Sequence, residues 1–458
     1  MKKLITLLTM PLLAAFTCAQ ENPRWMLSET PATIIINPTG ELATGRAYQG
    51  TPNIVVSASG KRAFVLWYGN GLDDEHSNHE NPHNYVMVAY GDSKLDFGGS
   101  RVRIVIRSPH AGKVRCFDPC GWRDPSGRIW LSWCQSTGEY DFTGKYYEKH
   151  NAQWSRHGST WAIYTDNPDD PEPAWSQPRR LFDGNMINKP IFLKNGTALY
   201  PVCFFTITAI QDMLSQKEGA GTWLSKDNGE TFEQIGNVRV SESRYGFTEH
   251  MFVEKNNGDI WLLARRDPGI KYQRFSNAAK RFITHVTLTD GICEAFSKDG
   301  GRTYGRTEFS KIPGIGSRTH ISRLKSGNLL LMKNYAHDDL WLAGKSKPNI
   351  DQRIYRKALV AYISKDDGKT WQGGYMLDDR RATTVDGDKK DVSYPDASQA
   401  DDGFIYICWD YSRFDEPEIH TAKLTEADIL AGKIVTPGSI ADSIANRGPK
   451  KEKHPREY

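Results

Sequence analysis

Long apolar runs are missing from this 458-residue chain after its first twenty positions, and so is any strong excess of charge. No later segment approaches the roughly 20 consecutive apolar residues that a membrane helix needs. Asp and Glu number 55 against 59 Lys and Arg, a formal net charge of +4. So even a balance removes the electrostatic case for nucleic acid or an anionic membrane surface as the partner. Cysteine is scarce, at seven residues, and no CxxC pair has zinc spacing, which excludes a structural zinc module of that kind. Helical periodicity is almost absent before "LTEADILAGK" (424–433). Aromatic residues are plentiful instead, with 13 Trp and 20 Tyr in a total of 11%. They suit β-sheet, and also sites that stack sugars or bases.

The opening stretch, "MKKLITLLTMPLLAAFTCAQ", carries two lysines, a short apolar core and small residues around Thr17–Ala19. It reads as a secretory signal over residues 1–19, cleaved near Ala19, which makes the mature chain secreted or periplasmic. Cys18 raises a lipid-anchored alternative, although Thr17 sits poorly before a lipidated cysteine. Export permits disulfides among the other six cysteines, and Cys116 with Cys120 is the closest pair. Most of the others lie in apolar, strand-like runs, where buried free thiols are the expectation.

Two motifs alternate along the rest of the chain. One is a strand, a tight glycine turn and a strongly apolar strand, as in "PNIVVSASGKRAFVLWY" (52–68) and "EHMFVEKNNGDIWLLARR" (249–266). Its turn glycines are Gly60, Gly127, Gly196, Gly258, Gly327 and Gly403, at gaps of 67, 69, 62, 69 and 76 residues. Asn-Gly, Ser-Gly and Asp-Gly steps between apolar runs are hairpin turns, since glycine tolerates the positive φ they require. The other motif is S-x-D-x-G-x-T-aromatic: "LSKDNGETF" (224–232), "FSKDGGRTY" (296–304) and "ISKDDGKTW" (363–371). Its Asp and Thr side chains can bond the turn's own backbone. Weakened versions stand at 91–99 and 164–175. Six copies of a four-stranded unit predict an all-β, six-bladed β-propeller over residues 20–440. A β-sandwich with coincidental spacing is the competing architecture. A strand from about 30–45 is expected to complete the last blade. Residues 441–458, polar and basic, are expected to be a frayed tail.

In a propeller the first strand of each blade lines the central channel. Residues eight or nine before each turn glycine then converge on one mouth: Asp118, Asn188, Glu249, Arg318 and Tyr394. Here the sequence resembles the sialidase family, whose six-bladed propeller carries Asp-box repeats like the three quoted. "LDDEHSNHE" (72–80) resembles the acidic loop of the general acid/base, which implies that role for Asp74. "EHMFVEKNNGDIWLLAR" is similar to the segment pairing a glutamate with an arginine sixteen residues on, here Glu249 and Arg265. "RKALVAYIS" (356–364) resembles the approach to an Asp box that carries a carboxylate-binding arginine, here Arg356. "SYPDASQADDG" resembles the segment of the nucleophilic tyrosine, here Tyr394.

The resemblance implies a secreted exo-glycoside hydrolase acting on glycans, with no cofactor. A sialic acid bears a carboxylate on its anomeric carbon, so a neutral tyrosine avoids the repulsion a carboxylate nucleophile would meet, and Glu249 can take its proton. Arg265 and Arg356 would grip the substrate carboxylate. Arg318, Asp118, Asn188 and His250 are further candidates for substrate binding. In one respect the pattern departs. Sialidases open with an R-I-P-like arginine, and the matching "YQGTPNIVV" has Gly50 in its place, with Arg46 four residues upstream as a substitute. Two other classes stay open. A polysaccharide lyase would use a His–Tyr pair on a uronate, drawing on His250, His320 or the histidines at 76–83. A non-catalytic propeller would bind glycan without turnover. His76, His79 and His83 lie close together but on an irregular loop, and no metal is expected there.

Overall fold

The computed structural model describes residues 24–44, 46, 48–71, 83–137, 158–204, 219–240, 249–265, 271–276, 281–286, 291–336, 338–344, 356–383 and 390–449. Six antiparallel sheets follow one another along the chain. Their innermost strands are Tyr48–Val56, Val114–Arg123, Ile191–Phe192, Met251–Glu254, His320–Arg323 and Val392–Gln399. Each runs through its turn glycine into an apolar second strand, and a third and fourth complete the blade. A two-stranded hairpin, Lys271–Ser276 with Arg281–Val286, is inserted between the second and third strands of blade 4.

Burial explains why six such units hold together. Each blade is apolar on both faces, and each face meets the neighbouring blade. Phe64 and Leu66 of blade 1 pack with Phe117 and Leu131 of blade 2. Trp122 and Trp130 of blade 2 meet Tyr200 of blade 3, and Leu199 meets Phe252 and Leu262 of blade 4. Met251 and Leu263 pack with Leu329 and Leu331 of blade 5, and Leu330 with Ile405 and Ile407 of blade 6. Finally Tyr406 and Ile419 of blade 6 return to Ile54 and Val65 of blade 1. The core is therefore a closed ring of six seams. Burying each such side chain contributes about 1.5–3 kcal/mol, and no blade could bury both faces alone.

The Asp-box turns lie between the third and fourth strands of blades 3, 4 and 5. In the first, Asp227 Oδ1 accepts the Thr231 amide at 2.9 Å and Thr231 Oγ1 donates to Oδ2 at 2.5 Å, while Ser225 Oγ accepts the Gly229 amide. The same bonds recur at Ser297–Asp299–Thr303 and Ser364–Asp366–Thr370. The helix expected near 424–433 forms as Glu426–Ala431, capped by Thr425 and ended by Gly432 at φ 65°.

Two expectations are corrected. The N-terminal strand Thr33–Ile36 does not complete the last blade but pairs with Ile104–Arg107, as a fifth strand on blade 1. Blade 6 is completed by Ile440–Arg447, within the stretch expected to be a frayed tail. "IADSIANR" reads as polar because one side of this outermost strand faces solvent. Its Ala445 and Asn446 are nevertheless fully buried against blade 1. Asn446 Nδ2 donates to the Ser100 carbonyl, and Ser443 Oγ to that of Leu95.

Candidate active site

The inner strands of blades 1, 2 and 6 each carry a bulge just before a proline, at Thr51-Pro52, Asp118-Pro119 and Tyr394-Pro395. The residue before the proline adopts a positive φ: 56° at Thr51, 44° at Asp118 and 56° at Tyr394. Glu249 (φ 38°) and Arg356 (φ 49°) share this conformation. It is costly for residues with a β-carbon, and such strain gathers where a side chain must be aimed. A bulge re-aims a strand residue, here toward the axis of the ring. The X-Pro step nine residues before a turn glycine was the sequence signal that could have marked these positions.

Tyr394 and Glu249 meet across the channel. Tyr394 Oη donates to Glu249 Oε1 at 2.7 Å, and Arg265 Nη1 donates to both, at 2.7 Å to Oε1 and 2.9 Å to Oη. Glu249 is 1% exposed, and its Oε2 has no hydrogen-bond partner among the described residues. Burial pushes the Tyr394 phenol far above its ordinary range; Glu249 adds to the shift, while Arg265, Arg413 and Arg356 pull against it. The phenol is therefore neutral at physiological pH, with an acceptor for its proton already in contact. Asn188 braces the acid, because its Nδ2 donates to the carbonyls of Glu249 at 2.8 Å and His250 at 3.0 Å.

Three more guanidinium groups surround the Tyr394 ring, with their central carbons 4.2 Å (Arg413), 5.4 Å (Arg318) and 5.8 Å (Arg356) from its centroid. Arg356 Nη2 donates to the Gly316 carbonyl. Asp391 and Lys357 stand beside it; burial raises the Asp391 carboxyl, against the pull of Arg356 and Lys357. Arg413, on the connection after the second strand of blade 6, was missed from the sequence because no motif surrounds it.

Several expected residues lie elsewhere or serve differently. Arg318 is fully buried, and its Nη1 donates to the Ile187 carbonyl and its Nη2 to those of Pro52 and Pro395, tying blades 3, 1 and 6 together. Beside it Lys189 and His320 hold Asp396, whose carboxyl is kept low by them despite its burial. These groups fill the channel beneath the tyrosine. Arg46 does not stand in for the arginine missing at Gly50. It is buried between outer strands of blades 1 and 6, donating to the Ala43 carbonyl and to Asn446 Oδ1, both at 2.8 Å. His250 Nε2 bonds the Gly221 carbonyl, and burial lowers its pKa to about 4, so its ring is neutral. Asp118 is buried on the blade 2 bulge. Asp74, His76 and His79 lie outside the described residues.

All six described cysteines are buried free thiols, Cys116 and Cys120 included, and burial pushes these two up to about 12. Among the described residues no cluster of His, Cys, Asp and Glu has metal-binding geometry, and no helix is long and apolar enough to cross a membrane.

Residues 98–407, more than half of the chain, match the family described as BNR repeat-like domain. The chain belongs to the BNR repeat-like family. No curated protein sequence matches it. Among solved structures, this BNR protein resembles one of unknown function from Dyadobacter fermentans, at 16% identity and a TM-score of 0.51, covering 84% of this chain and 95% of that one. A Hadza microbial sialidase, Hz136, aligns at 16% identity and a TM-score of 0.55, over 82% of this chain and 66% of its own. A leech intramolecular trans-sialidase, complexed with 2,7-anhydro-Neu5Ac, aligns at 12% identity and a TM-score of 0.52, over 88% and 71%. At such identities the likeness is one of fold: the six-bladed sialidase-like propeller.

Proposed function

We propose that this BNR protein is an exo-acting glycoside hydrolase that removes a terminal acidic sugar from glycans. The observation that carries the proposal is the Tyr394–Glu249–Arg265 triangle at the mouth of the ring. Tyr394 Oη attacks the anomeric carbon while Glu249 Oε1, 2.7 Å away, takes the phenolic proton. The bond to the leaving oxygen breaks, and Asp74, in the stretch of sequence between the second and third strands of blade 1, supplies a proton to that oxygen. Water activated by the same aspartate then displaces the tyrosine, and Glu249 returns its proton. A phenol is the right nucleophile for an anomeric carbon bearing a carboxylate, because a charged nucleophile would be repelled. Arg265 and Arg356 offer that carboxylate charge-assisted hydrogen bonds. Export on residues 1–19, followed by action outside the cytoplasm, belongs to the same proposal and draws on the composition of that segment.

The lyase reading asks for a histidine beside the tyrosine. In the described residues that place is taken by a carboxylate. His320 has both ring nitrogens engaged, with Asp396 and Ser322, and His250 is turned to a carbonyl. The deciding experiment incubates the purified full chain with a panel of natural glycans, including sialylated ones, and identifies the products by mass spectrometry. One acidic monosaccharide released from chain ends is the expected result. Products absorbing in the ultraviolet through a new double bond would establish a lyase, and binding without any product a lectin-like propeller.

A further inference from the structure

Gly50 is the innermost-strand residue of blade 1 that sits beside Arg413. A β-carbon added there would lie 2.9 Å from both Cδ and Nε of Arg413 and 3.0 Å from its Cγ. The space a side chain at position 50 would need is thus filled by the stem of an arginine from blade 6. From there the guanidinium continues onto the face of Tyr394, with its Cζ 4.2 Å from the ring centroid, nearer than those of Arg318 and Arg356.

The group is held on one side only. Arg413 Nε donates to Asp410 Oδ2 at 2.9 Å, and Nη2 lies 2.7 Å from the same oxygen. Asp410 is fully buried and is itself fixed, accepting the Thr51 amide at 2.7 Å and Ser393 Oγ at 2.8 Å. Nη2 is buried and, for all its closeness to Asp410, has no hydrogen-bond partner among the described residues, and the side chain keeps 12% of its surface exposed. An arginine whose stem is wedged over a glycine, whose Nε is tied to a buried carboxylate and whose Nη2 is left without a hydrogen bond is a preorganised anion donor. Its charge also falls beside a site already facing inward with Arg265 and Arg356, against the carboxylates of Glu249, Asp410 and Asp391.

We infer that Arg413 is a specificity-determining residue, reaching over Gly50 from blade 6 to bind the substrate's carboxylate beside Tyr394. In this way the guanidinium that blade 1 lacks is supplied by the adjacent blade 6. The inference rests on the reading of this mouth as an acidic-sugar site, but not on turnover.

The test compares the full chain with Arg413→Gln, Arg413→Lys and Gly50→Ala. Calorimetry measures binding of the α-methyl glycoside of a sialic acid and of its carboxamide, which differ only in the charge gripped. Arg413→Gln is expected to weaken the carboxylate probe about tenfold or more and the carboxamide little. Lysine should restore only part of the loss, because it lacks the fork. Gly50→Ala leaves Arg413 in the chain but pushes it aside, so it should weaken the carboxylate probe in the same sense. In a double variant the two losses should not add. Thermal melts confirm that each variant is folded, and Gly50→Ala carries the test if Arg413→Gln is not. Unchanged carboxylate affinity in the folded variants would overturn the inference, as would wild-type protein that binds neither probe. Arg413-dependent binding without turnover would support it while removing the hydrolase. Turnover indifferent to Arg413 would do the reverse.

Discussion

Replacing Tyr394 by phenylalanine separates chemistry from architecture at this site. The lost hydroxyl gives one hydrogen bond to Glu249 at 2.7 Å and accepts one from Arg265 at 2.9 Å. A bond to a buried carboxylate contributes about 1.5–3 kcal/mol. The Arg265–Glu249 ion pair at 2.7 Å remains, however, and a phenyl ring needs no desolvation of its oxygen. The net cost to stability is therefore about 1–2 kcal/mol, a few degrees in Tm for a protein of this size. The ring keeps its stacking with Arg413, Arg318 and Arg356, so substrate binding is expected to stay within about threefold. Catalysis should respond on another scale. Without the attacking oxygen the barrier rises by about 4 kcal/mol or more, a loss of roughly a thousandfold or greater in kcat. Initial rates of sugar release from a sialyl glycoside, measured beside thermal melts of both proteins, give the two numbers together. Rates in the folded variant close to wild type would refute the assignment of the nucleophile.

Two further predictions concern the frame. Arg46→Ala should cost about 2–4 kcal/mol, by opening a cavity and stranding Asn446 Oδ1, yet leave KM unchanged; a raised KM would return it to the site. His420, stacked on Trp409 and hydrogen-bonded to Asp442 and Glu418, has its pKa raised to about 9, since these carboxylates outweigh its burial. A group raised in the folded state stabilises fully below its unfolded value, about 6.5, and stops doing so as pH climbs through the folded one. Melts should therefore show stability falling between about pH 6.5 and 9, with a smaller fall in His420→Gln. An identical slope in both proteins would show that the histidine carries none of it.

The blade count was legible because a hairpin glycine recurs once per unit and leaves a fixed offset to the channel residue. That offset placed Glu249 and Tyr394 on facing strands, and they do touch. Ring closure was not legible. "TIII" at 33–36 fits an edge position on either of two blades, and the strand at 440–447 hides its buried face among polar residues. The arginines were harder still. Arg46, Arg318 and Arg413 all carry the same side chain, and only the direction each one takes separates an outer wedge, a channel strut and a group beside the phenol. The empty place at Gly50 and its occupant lie more than three hundred residues apart in sequence, a relation no local pattern records.

Among the described residues no strand is exchanged between the first and last blades, and the circle is fastened by side chains together with two main-chain bonds, from the Gln49 amide to the Arg413 carbonyl and from the Asp401 amide to the Ala58 carbonyl. Asp396 takes the Ile54 amide, Ser398 that of Val56, and Tyr406 the Gly60 carbonyl. The proposed sugar pocket straddles this same joint, with Thr51 on one bank and Tyr394 and Arg413 on the other. A bound glycan would then act as a rivet, lending its binding free energy to this closure of the circle and raising the melting temperature as its concentration rises.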